Sequence, residues 1–210
     1  MTGGNTRDHW EQAKELRQKG EFVEAGDYYT VAAYGYLGED LPGRFGVRIS
    51  HGASGLQRAA LCYRLASRRG RCQNRAKQGI LIAEDMLDRV FVGDPPDNHY
   101  DRARRGAWHE YIGDFQLMAD LADPTDAYEQ AIAVYEDAGD PGTGYAEQEH
   151  GFLIWLYQSV GSAVGCDIDP IDTGLNDLTF SDWVAMKREN LPSFLTDLDD
   201  QATWPTMSGE

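Results

Sequence analysis

Lysine is nearly missing from this chain: 4 of its 210 residues, against 15 arginines, 22 aspartates and 13 glutamates. The formal net charge of −16 is therefore built from carboxylates that few ammonium groups offset. Such a balance predicts adaptation to a very salty cytoplasm, where the Debye length shrinks to about 3 Å and self-repulsion is screened. Cysteine is also scarce. Cys62, Cys72 and Cys166 form an odd set with no close spacing, which excludes a disulfide framework and a thiolate metal site. No apolar run approaches the ~20 residues that cross a bilayer, and the opening stretch MTGGNTRDHW lacks the apolar core of a signal peptide. The expectation is a reduced, cytoplasmic protein with no membrane partner. Its aromatic and apolar content argues against acidic disorder.

What is present is helical periodicity. From Asp8 to Glu39 the chain reads as two amphipathic helices folded back on each other: Ala13 and Leu16 on the first, Phe22, Ala25, Tyr29 and Ala32 on the second. The last four are spaced three, four and three apart, which places them on one stripe. Gly20 lies between the runs, where positive φ permits a tight reversal. These seven positions resemble a tetratricopeptide-type repeat, a helical hairpin of about 34 residues. The resemblance implies an all-α, right-handed array of antiparallel hairpins, a TPR-like α-α superhelix. Residue types recur along the chain: Tyr128, Ala131, Tyr135 and Ala138 each follow Phe22, Ala25, Tyr29 and Ala32 by 106 positions, and Ala119 stands likewise to Ala13.

This pattern predicts a single helical repeat domain over 1–200, with about eight helices. Hairpins are expected at about 8–38, 54–91 and 102–139, capping helices at 144–199, and a tail at 201–210. Leu41–Gly55 reads as a loop because Pro42 and a run of glycines interrupt the pattern; Gly70 reads as the turn between the third and fourth helices. The seventh helix is apolar nearly all round at Phe152, Leu153, Trp155, Leu156 and Tyr157, so it is expected to be buried. A short helix to Asn190 and a further turn or helix from Leu191-Pro192 are expected to close the array.

Catalytic signals are thin. The histidines stand apart, at 9, 51, 99, 109 and 150, and assemble no nucleophilic triad. Glu147 and His150 have the i, i+3 spacing of dimetal bundles, yet no second such pair exists. His109-Glu110 with Asp114 lacks a zinc-type spacing. Asp167, Asp169 and Asp172 lack the closing Glu of a calcium loop. The glycine-rich Ser50–Gly55 leads toward a helix carrying Arg58 and could hold an anion there, but it has no P-loop ending; an ordinary capped loop is the plainer reading. No metal, no cofactor and no enzymatic activity are therefore expected.

Charge asymmetry is the one interaction signal. Between Arg44 and Arg105 there are 13 basic and 6 acidic residues, a net of +7, whereas the remainder carries −23. Arg58, Arg64, Arg68, Arg71 and Arg75 are the candidate partner-binding residues, expected to line a groove that receives an acidic protein or peptide segment. They could equally pair with carboxylates of the same chain. The expected function is a non-enzymatic protein- or peptide-binding scaffold. The alternatives are a nucleic-acid-associated regulatory protein using residues 44–105, which the overall negative charge opposes, and a metal-dependent enzyme in a helical bundle.

Overall fold

A computed structural model describes residues 5–38, 45–90, 99–139, 145–166 and 178–200; within these ranges the side chains of 45–47, 89–90, 99–101 and 145–150 are not described. The described residues are all-helical, without a strand: α1 (Thr6–Gln18), α2 (Phe22–Gly38), α3 (Phe45–Leu65), α4 (Arg69–Val90), α5 (His99–Met118), α6 (Thr125–Ala138), α7 (Tyr145–Ala163) and α8 (Phe180–Asp200).

Three hairpin turns share one stereochemical solution. Gly20, Ser67 and Asp120 all take positive φ, at 77°, 54° and 50°. In each case the next residue donates its N–H to a carbonyl five residues back: Glu21 to Leu16 at 2.9 Å, Arg68 to Tyr63 at 2.7 Å, Leu121 to Gln116 at 3.0 Å. These are Schellman closures, which satisfy the carbonyls that a helix end leaves open. The second turn is thus made at Ser67, while Gly70 lies inside α4.

Each helix from α1 to α6 packs on the next. Alanines make this possible: Ala13, Ala25, Ala32, Ala33, Ala59, Ala60 and Ala76 have no exposed surface. Glycines act similarly. A Cβ on Gly52 would sit 2.5 Å from Leu37 Cγ, and one on Gly55 2.9 Å from Ala33 Cβ. This corrects the expected loop over Leu41–Gly55. From Phe45 onward the segment is helix α3, because its glycines provide a close seat on α2 rather than turns, and packing of this kind offsets the roughly 1 kcal/mol that each glycine costs a helix. Residues 39–44 lie outside the described residues.

The array does not continue in simple succession. The partner of α6 is α8, whereas α7 lies across α3, α5 and α8. Leu153, Trp155, Leu156, Tyr157 and Val160 are all buried there, in keeping with the all-round apolar character of α7. A break at Leu191-Pro192 does not occur; α8 is one helix with Pro192 inside it. The stripe Trp183, Val184, Lys187, Leu191, Leu195 and Leu198 is buried along its whole length. Packing of that stripe outweighs the ~3 kcal/mol a proline costs a helix interior. The offset of 106 also needs correction at one point. Ala25 and Ala131 are both fully buried, but Ala13 is in the body of α1 while Ala119 lies just beyond α5, since the turn between α5 and α6 is longer than that between α1 and α2.

Candidate functional site

Among the described residues, charged and titratable groups gather at several places, of which the first is buried where α5 meets α8. Glu110 and Asp114 are one turn apart on α5, on the side facing α8, and both are buried to within 1%. Lys187 of α8 enters between them. Its ammonium donates to Glu110 Oε1, to Asp114 Oδ2 at 3.0 Å and to the Leu153 carbonyl of α7 at 3.0 Å, using all three of its protons. Asp114 also accepts from Gln57 Nε2 of α3 at 2.7 Å and from the Tyr128 hydroxyl of α6 at 2.8 Å. Tyr135 of α6 donates to Glu110 Oε2 at 3.2 Å. Five helices therefore meet at one polar node. Burial, opposed by Lys187 and reinforced by Glu110, raises the Asp114 carboxyl to about 7. Lys187 titrates above its ordinary range, because burial, which would lower it, is outweighed by Asp114 and Glu110. The neighbouring His109 is pushed down to about 4 by burial and by Arg105.

Arg58 of α3 forms the second. Its guanidinium stands 3.8 Å from the ring centre of Trp155 on α7 and 5.1 Å from that of Trp10 on α1, with Arg17 at 5.3 Å from Trp155. A planar, weakly hydrated cation is suited to such a sandwich. Trp10 meets Tyr29 edge-on at 5.4 Å, and Phe152 meets His51 at 4.7 Å, extending the aromatic contact from α1 to α7.

The third lies at the outer surface. Arg71 of α4 bonds Asp27 of α2 at 3.0 Å, and Arg75 donates to the Tyr34 hydroxyl at 2.6 Å beside Gln78. These contacts join α2 to α4; Tyr28, Val31 and Tyr34 of α2 and Leu81 of α4 are exposed, Leu81 by 64%.

The five candidate arginines are thus divided. Arg58 is buried between indoles. Arg64 grips Asp199 of α8 through Nε at 3.0 Å and Nη2 at 2.6 Å, and bonds the Met118 carbonyl at the end of α5. Arg71 and Arg75 lie on the α2–α4 surface, and Arg68 is exposed at the turn, making no ion pair among the described residues. They do not share one groove, and α7 packs on the first helices α3 and α5, with its Trp155 under Arg17 of α1.

A cleft of about 460 Å³ opens beside Arg64, where Phe22, Leu65, Met118 and Leu198 supply its apolar lining. Cys72 also borders it, with a thiol raised to about 12 by burial, which keeps it protonated near neutral pH. The anion-binding reading of Ser50–Gly55 falls away, because those residues are inside α3 with Ser50 and Ser54 buried, and helix-interior N–H groups are already engaged. Asp167, Asp169 and Asp172 lie outside the described residues, as do the side chains of Glu147 and His150. Among the described residues no group of three or more potential ligands is placed to hold a metal ion, and no described helix is long and apolar enough to cross a membrane.

Sequence reasoning noticed Glu110 and Asp114 but not Lys187. One signal was available: a lysine, rare in this chain, lies on the same stripe as Trp183, Val184 and Leu191. A search against known proteins finds no matching family model, no matching curated protein and no matching solved structure.

Proposed function

We propose that this chain is a non-enzymatic protein- or peptide-binding scaffold of a salt-adapted cytoplasm, built as a TPR-like right-handed superhelix of three hairpins closed by α7 and α8. The observation that carries this reading is the exposure of large apolar side chains on the second helices, Tyr28, Val31 and Tyr34 on α2 and Leu81 on α4, with Tyr34 held against Arg75. Exposed aromatic groups next to arginines are the composition of binding hot spots. The first-helix face, where arrays of this kind usually receive peptides, is filled by the chain's own α7, which moves the binding surface to the second helices. An acidic partner segment would compete with Asp27 for Arg71 and with Tyr34 and Gln78 for Arg75, and the planar guanidinium favours a carboxylate that it can hold bidentately, an advantage that persists in strong salt. A nucleic-acid role is weaker, since Arg58 and Arg64 are engaged within the chain and the net charge repels phosphate.

The test places a photo-crosslinking residue at Leu81 and recovers adducts from native lysate in molar KCl. A discrete set of adducts is expected, lost when Tyr34→Ala is combined with Arg71→Glu and Arg75→Glu. Unchanged adducts in that variant would refute the surface.

A further inference from the structure

The central node holds more carboxylates than cations. Among the described residues, Glu110 and Asp114 face one ammonium, and the other groups that bond to them or to it are neutral: Gln57 from α3, Tyr128 and Tyr135 from α6, and the Leu153 carbonyl from α7. With both carboxyls ionised, the site carries one uncompensated negative charge where Asp114 has no exposed surface and Lys187 is 2% exposed. A buried net charge is expensive, and the least costly relief is uptake of a proton by one carboxyl. Lys187 cannot add a second bond to compensate, because its three protons are already placed on Glu110, Asp114 and Leu153.

We propose that Glu110, Asp114 and Lys187 form a proton-operated latch, which fastens α8, and α7 through Leu153, to α5 while it holds the extra proton and loosens them when that proton leaves. This goes beyond the partner-binding reading and does not depend on it. The direction follows from linkage. A carboxyl whose folded pKa lies above its unfolded value stabilises the fold fully below the unfolded pKa and loses that contribution as pH rises through the folded one. Asp114, raised from 3.8 to about 7, places most of the loss between its two values and its end near neutrality. His109, held at about 4 against an ordinary 6.5, works in the opposite sense: where opening frees it, the open state takes up a proton near pH 6, so it can only reduce the rise and not produce it.

Hydrogen exchange along α8, read at pH 6 and pH 8 and normalised for the intrinsic rate, tests the latch. In the wild type the opening equilibrium of amides in 183–198 is expected to rise by up to about tenfold over that interval, the factor that linkage gives for a folded pKa of about 7. Asp114→Asn removes the titrating group, and Glu110→Gln leaves a one-to-one pair that needs no extra proton; both are expected to abolish the rise. A wild type without pH response, or a Glu110→Gln protein that keeps the wild-type rise, overturns the proposal. Should Asp114→Asn fail to fold, the wild type and Glu110→Gln decide the matter by themselves.

Discussion

Arg58 and Lys187 are both buried where α7 and α8 meet the hairpin array, and the chain accommodates them by different chemistry. Arg58 lies among the faces of Trp10 and Trp155; Lys187 lies between Glu110 and Asp114. The difference follows from the ions. Guanidinium is planar, delocalised and weakly hydrated, so stacking on indoles replaces much of what water supplied. Ammonium is compact and strongly hydrated, and it needs oxygen acceptors at each proton. The carboxylate solution introduces a surplus negative charge and with it a dependence on pH.

The largest expected effect comes from breaking the carboxylate site. Lys187→Met leaves two buried carboxyls without their cation and should cost about 3–5 kcal/mol in urea unfolding. Adding Glu110→Gln and Asp114→Asn to that variant should restore much of the loss, since an uncharged node needs no counterion. A triple variant as unstable as Lys187→Met would show that packing of the lysine stem, not charge, dominates. The aromatic site should respond more mildly: Arg58→Met keeps the stem between the indoles and should cost about 1–2 kcal/mol. Its stability should keep the wild-type slope from pH 6 to 8. A changed slope would mean that the two sites are coupled.

Smaller still, residue by residue, are the exposed charges. Arg71 and Asp27 have side chains that are 52% and 56% exposed, and pairs of that kind contribute about 0–1 kcal/mol each. Their excess acts collectively, so the melting temperature should rise between dilute buffer and molar KCl while the difference between wild type and Lys187→Met stays nearly constant, because salt screens the surface and not the buried node. A flat or falling melting temperature would contradict salt adaptation.

Much of the helical frame was legible in local spacing. The hairpin of α1 and α2, the limits of α6 at Thr125–Ala138 and the burial of Ala25, Tyr29, Ala131 and Tyr135 follow from periodicity and from turn residues. The errors share a cause. Gly52 and Gly55 in α3, and Pro192 in α8, are helix breakers by local propensity, yet long-range contacts hold them within helices: Leu37 and Ala33 press on the glycines, and a buried stripe runs past the proline. The arginine cluster misled for a related reason. Charge density along the chain says nothing about which side chain will find Asp199, an indole or open water.

The sequence by itself therefore determined the all-helical frame, its first turn at Gly20 and the acidic balance, because these depend on residues within a few positions of each other or on composition alone. Only the tertiary structure decided that α7 covers the first helices, that α8 takes the place next to α6, and that Lys187 reaches Glu110 across 77 positions of chain. Such pairings rest on which apolar faces meet. A buried charge then selects its partner from whatever those faces bring within a few ångströms, and spacing along a chain does not encode that choice.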